Sequence, residues 1–195
     1  MAAAFFYGTL MHPSILKRVI GHDGFDLQIR PALLLGYTRH KINGADYPGI
    51  VPYSQSRVMF SRDLEPEERS VRGSMVVGLS DKDMRLLDIF EGDEYTRELV
   101  HVHPLGPSMS SDNVEVTGVV PPIPPPNELE TAIEVFTYVW CRPLSELQPK
   151  LWSFKEFIEE SACKWIGAAS RDREDYTEVD RRRDMEGTIT VRAEA

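Results

Sequence analysis

The sequence is poor in cysteine, in basic charge and in long apolar runs, and each shortage excludes something. Only Cys141 and Cys163 occur among the 195 residues, too few for the disulfide framework of a small secreted fold. Neither has a Gly-rich turn or a histidine beside it, so both are expected as buried apolar fillers instead of nucleophiles. Lys and Arg total 22 against 31 Asp and Glu, a net charge of −9, and the chain lacks the basic face that nucleic-acid binding uses. No stretch approaches the roughly 18–20 apolar residues of a membrane span. No basic region accompanies Ala2-Ala3-Ala4, and "FFYGTL" is too short and polar for the core of a secretory signal. A cytoplasmic protein with no membrane partner is the expectation. The five histidines form no metal motif: His101 and His103 share one strand face, but no third ligand accompanies them.

What is there reads as a strand-dominated α+β chain. "AAFFY" is a short strand apolar on both faces. "HPSILKRVIG" follows as a helix, with Pro13 at its start and Gly21 as its stop. From Leu27 to Arg62 the signals are those of strands, with "YPGIVP" a constrained, turn-rich segment. "VRGSMVVGL" alternates as a strand. "SDKDMRLLDIFEG" is the clearest helix: Ser80 caps it, Asp81 and Asp83 suit its positive end, and Gly92 stops it. "YTRELVHVHPL" and the aromatic "EVFTYVW" are further strands, separated by a Pro-rich stretch near 104–132. That stretch reads as an extended loop insertion or as a ligand for a Pro-binding partner. "SFKEFIEESACKWIG" opens with the capping box Ser153-x-x-Glu156. Residues 1–168 are expected as one domain with a C-terminal helical extension, and 169–195 as a charged tail.

Two places invite chemistry. Met84, Leu86, Leu87 and Phe90 sweep one apolar arc of their helix, and Glu91 projects between the rows of Met84 and Leu87. It therefore points inward, at the helix end where the macrodipole and burial both disfavour a negative charge. That makes it a proton acceptor for use near neutral pH, or else a buried structural acid bonded to a tyrosine or the backbone. Glu94 and Glu98 are the nearby competitors, with Glu94 expected in an exposed turn. The second place is Tyr7-Gly8-Thr9-Leu10, where a strand breaks and feeds a helix. Such a break leaves backbone N–H groups pointing into one concavity, a nest for an anion or an oxyanion, although a plain tight turn has the same letters.

"YGTL" at 7–10, "GADYPGIVP" at 44–52, "VRGSMV" at 71–76 and "LDIFEGDEYTRELV" at 87–100 occur in the order and rough spacing of the gamma-glutamylcyclotransferase-like superfamily. The sequence resembles its AIG2-like branch over residues 5 to about 103 and 133–141. "LWSFKEFIEE" is similar to the aromatic-rich helix that follows the core in plant members. The resemblance implies a small mixed β-barrel-like fold with flanking helices. It implies that Glu91 is the general acid/base and that the Tyr7–Leu10 backbone contacts the glutamyl part of a substrate. The implied reaction cyclises a gamma-glutamyl compound, an amine or peptide-like small molecule, to 5-oxoproline with release of an amine. Its nucleophile lies in the substrate, so no cofactor is expected. Tyr95 and Arg97, two apart on one strand face, are expected near this site, with Tyr95 bonding Glu91. Arg97 either attracts a substrate carboxylate or pairs with an acid of the fold. Tyr47 is expected to shape the rim with Pro48 and Gly49, and Tyr138 either lines the site or packs the core. A binding or regulatory module on the same fold, and a lyase or isomerase with the same base, are the rival functions.

Overall fold

A computed structural model describes residues 1–111 and 123–160 of the chain. The first strand, β1 (Ala2–Phe6), shows why its sequence is apolar on both faces. Phe5 and Tyr7 point into one core with Ala32, Leu34, Val71, Met75 and Val102. Ala4 and Phe6 point the other way, under the helix α1 (Pro13–Ile20). Then come β2 (Gln28–Leu35), β3 (Tyr37–Ile42), β4 (Pro48–Pro52), the single turn α2 (Tyr53–Ser56), β5 (Ser70–Leu79) and α3 (Asp81–Glu91). The described chain continues with β6 (Tyr95–Pro104), β7 (Met109–Ser110), β8 (Ile133–Trp140), β9 (Leu147–Leu151) and α4 (Phe154–Glu160).

Five strands close on themselves in the order β5-β1-β8-β6-β2, with β2 pairing back to β5, so the body is a small barrel with a few helices around it. β7 adds two residues to the edge of β2. Most neighbours are antiparallel; β1 and β8 run parallel, through Ala4 and Phe136. Gly73 of β5 stands where Phe5 fills the barrel, and a Cβ there would lie 2.6 Å from that ring. β4, β3 and β9 form a second, three-stranded sheet. Arg39 of β3 ties this sheet to the barrel. Its Nη1 donates to the Tyr7 carbonyl at 2.7 Å and to the Arg72 carbonyl at 3.1 Å, and its guanidinium lies 4.8 Å from the Trp152 ring centre. Burial lowers the Arg39 pKa to about 10, which still leaves it charged at neutral pH.

The structure departs from the sequence expectations in several places. "YPGIVP" is strand β4, and the region up to Arg62 is not all strand: α2 and a short 3-10 turn over Arg57–Met59 follow it. Pro52 has no amide to continue the ladder, and the helical turn buries Ser56, whose hydroxyl lies 2.6 Å from that of Thr38. β9, in "LQPKL", has a proline in its middle and carried no strand signal. Cys141 is exposed, because β8 ends at Trp140 and the chain turns outward; Cys163 lies outside the described residues. Of the capping box at 153–156, the Glu156 amide reaches Ser153 Oγ at 3.4 Å. The charged tail and the middle of the Pro-rich segment also lie outside the described residues.

Candidate active site

Four separate stretches of chain converge at one end of β1. The first is the break after the strand. Gly8 has φ −124°, which any residue can adopt, so its lack of a side chain matters for space. A Cβ there would stand 3.0 Å from Pro48 Cδ. Close approach of the Pro48 ring therefore favours glycine here. The chain then winds through a 3-10 turn over Thr9–Met11, in which Met11 N donates to Gly8 O and His12 N to Thr9 O, both at 3.0 Å. Among the described residues, the amides of Gly8, Thr9 and Leu10, at the open start of this turn, meet no protein acceptor.

The second stretch is the end of α3. A capping box holds its start: Ser80 Oγ accepts from Asp83 N at 3.1 Å, and Asp83 Oδ2 accepts from Ser80 N at 2.8 Å. Met84 and Leu87 anchor it in the core. The helix stops at its eleventh residue, Glu91. Gly92 turns the chain with φ 68° and ψ −155°, a combination that side chains with a Cβ rarely adopt.

These stretches, with Tyr47 just ahead of β4, Pro48 at its start and Tyr138 on β8, enclose a cavity of about 300 Å³. Its wall includes Phe6, Tyr7, Gly8, Thr9, Leu10, Tyr47, Pro48, Phe90, Glu91, Glu94, Tyr95 and Tyr138. Among the described residues, no Lys, Arg or His side chain is part of it. An anionic group bound there would thus have to be met by backbone N–H groups or hydroxyls.

Glu91 is half-buried: surrounding atoms strip water from its carboxylate, and the part left open faces the cavity. Its pKa is raised to about 8, first by burial and then by the neighbouring charge of Glu94. No hydrogen bond from the described residues offsets this. The four tyrosines of the wall are all spent elsewhere. Tyr7 donates to the Tyr138 carbonyl at 2.5 Å, Tyr47 to Glu94 at 3.1 Å, Tyr95 to the Pro48 carbonyl at 2.9 Å, and Tyr138 to Asp88 at 2.9 Å. Burial is also the leading reason that the phenols of Tyr7, Tyr95 and Tyr138 are raised above their ordinary range, so they keep their protons at neutral pH. The result is an under-solvated carboxylate without a donor and three amides without an acceptor, all among the described residues that line one cavity.

Tyr7, Gly8, Thr9, Leu10, Tyr47, Glu91, Tyr95 and Tyr138 are therefore brought together around the cavity. Three details differ from expectation. Tyr95 serves Pro48 and lies edge-on to Trp140, with ring centres 5.5 Å apart, and does not bond Glu91. Glu94 is half-buried in the wall, because Tyr47 reaches over to it, and is not an exposed turn residue. Arg97 is outside the wall: its Nη1 pairs with both oxygens of Asp88 at 3.0 and 2.9 Å, and its guanidinium lies over Phe136. Asp88, which takes both Arg97 and Tyr138, was not among the expected residues. Its spacing of three from Glu91, which puts both acids on one side of the helix, was the available signal.

A family model described as gamma-glutamyl cyclotransferase, AIG2-like, matches residues 4–154. The chain is 25% identical over 162 residues to Protein AIG2 C of Arabidopsis thaliana, covering 83% of this chain and 75% of that protein. It is 29% identical over 157 residues to AIG2-like protein D of the same plant, covering 80% and 79%. A solution structure of another Arabidopsis thaliana protein superposes with a TM-score of 0.50 at 21% identity, covering 100% of this chain and 95% of that one.

Proposed function

Because the chain belongs to the gamma-glutamyl cyclotransferase, AIG2-like family, we propose that it cyclises a small gamma-glutamyl compound to 5-oxoproline and releases an amine, with Glu91 as the proton shuttle. The observation that carries this reading is the Glu91 carboxylate, short of water and of donors, opposite the free amides of Gly8–Leu10.

The substrate's alpha-nitrogen attacks its own gamma-carbonyl, and a five-membered lactam forms as the gamma C–N bond to the amine breaks. The substrate brings both the nucleophile and the electrophile, so the protein's share is to fold the substrate chain, move protons and accommodate the oxyanion. Two protons leave the alpha-ammonium and both end on the departing nitrogen, which leaves as its ammonium. Glu91 accepts each from the attacking nitrogen and delivers it to the leaving one. Its raised pKa suits both directions, since a carboxyl poised near neutrality is a competent base and acid alike. The amides of Gly8, Thr9 and Leu10 serve the oxyanion or the substrate's alpha-carboxylate, because among the described residues the wall holds no cationic side chain that can. A cavity of about 300 Å³ is at the lower end of small-molecule sites.

The test is incubation of the purified protein with gamma-glutamyl alkylamines and with glutathione, followed by detection of 5-oxoproline. Formation of 5-oxoproline by the wild type, and its absence with Glu91→Gln, is the expected result. A wild type inert on the whole series would overturn the reading in favour of a binding module.

A further inference from the structure

A polar chain leaves the cavity through Tyr138, and the proton shuttle leaves it unused. Tyr138 lines the cavity, and its hydroxyl donates to Asp88 Oδ1. Asp88 stands one turn before Glu91 on α3 and is held through both oxygens by Arg97, which is braced over the Phe136 ring at 5.1 Å. A phenol has one proton to give. With that proton committed to Asp88, the Tyr138 oxygen can only accept from whatever else approaches it. Glu91 shares the cavity and lies close enough for its charge to act on the Tyr138 phenol. Without Asp88, the phenol would turn its proton to Glu91, a carboxylate of the wall with no donor among the described residues, and weaken it as a base. An ion pair as exposed as Asp88–Arg97 contributes little to stability, so its stability does not explain the arrangement.

We propose that Asp88, braced by Arg97, is a positioning residue: it fixes the Tyr138 hydroxyl as a hydrogen-bond acceptor for the substrate's alpha-ammonium group and keeps the Tyr138 proton off Glu91. The inference rests on the cyclotransferase reading, which supplies an ammonium group that must be held beside a base. Asn at position 88 offers a single acceptor oxygen, and Arg97, which has only donors, competes for it. The phenol proton is then released toward Glu91.

The experiment compares two ligands that differ only in the alpha-amine. One is a gamma-glutamyl alkylamine, followed by turnover. The other is the matching N-alkylglutaramic acid, which has hydrogen in place of the alpha-amine and cannot cyclise, followed by calorimetric binding. Asp88→Asn and Tyr138→Phe are each expected to lower kcat/KM for the first about 10–100-fold, the scale of a hydrogen bond to a charged group. The double variant should be no worse than Tyr138→Phe alone. Binding of the glutaramic acid should stay within about twofold in all of them, because the contact in question is absent from it. Equal losses for both ligands would show that Asp88 merely shapes the cavity. Unchanged turnover in Asp88→Asn, or effects that multiply in the double variant, would overturn the proposal as well. The wild-type reaction separates the two levels: if it yields 5-oxoproline, the cyclotransferase reading stands whatever the variants do. If it yields none, that reading and this one fall together.

Discussion

The two ends of α3 each hold a carboxylate, and the two are treated in opposite ways. Asp83, in the first turn, is 4% exposed. It takes hydrogen bonds from the Ser80 amide and from His22, at 2.8 and 3.1 Å, and sits where the helix dipole favours negative charge. Glu91, in the last turn, has the unfavourable end of the dipole, a second acid as neighbour and no donor among the described residues. One carboxylate is consumed by the fold and the other is left with unmet demand. Within one helix, environment alone separates a satisfied carboxylate from an unsatisfied one.

Replacing Glu91 tests the comparison hardest. Glu91→Gln is expected to cut kcat on a cyclised gamma-glutamyl amine by about 100–10,000-fold, the typical weight of general acid–base catalysis, while substrate binding survives. Its stability should move the other way. A carboxyl whose pKa rises from 4.5 to about 8 on folding binds its proton more tightly in the folded state. The stabilisation it gives is complete below about 4.5 and is lost as pH rises through about 8. Melting temperatures measured from pH 5 to pH 9 should therefore fall more steeply for the wild type than for Glu91→Gln. Parallel curves would mean that the carboxylate is better solvated than its setting implies.

Asp83→Ala should do the reverse. It removes half of a capping box and the His22 partner, so urea denaturation should show a loss of about 0.5–2 kcal/mol. The kcat per folded molecule should hold, since Asp83 is not part of the cavity wall. A large fall in kcat at full folding would erase the distinction between the two ends.

The smallest effect belongs to Glu94, whose charge is the second cause of the raised Glu91 pKa. Glu94→Gln should retain most of the turnover and move the acid limb of log kcat/KM to lower pH by a fraction of a unit. A limb that stays in place would leave burial as the sole origin of the shift.

Much of this arrangement is written in local patterns. Ser80, Asp83 and Gly92 mark the helix, the arc of Met84 and Leu87 aims Glu91 inward, and the two-faced apolarity of "AAFFY" is that of a barrel strand covered by a helix. What a linear reading misses is contact made across the fold. The preference for glycine at position 8 comes from the Pro48 ring, the Tyr95 hydroxyl goes to the Pro48 carbonyl, and Glu94 is drawn into the wall by Tyr47. The pairing of Asp88 with Arg97 and Tyr138 likewise joins two strands and a helix. Periodicity shows which way a side chain faces within its own element; it does not specify the residue that will stand opposite.

β1 lies between β5 and β8, with Ala4 facing Val76 on one side and Phe136 on the other. The strand that leads to the free amides thus precedes both of its partners in sequence and gains the second only when β8 arrives. Long-range pairings of this kind must be closed before they stabilise anything, and domains are made from the N-terminus onward. A nascent chain halted before Phe136 carries Tyr7, Gly8 and Glu91 but lacks the strand that brings in Tyr138. The cavity is therefore a late product of folding, and a chain cut before Phe136 lacks part of its wall.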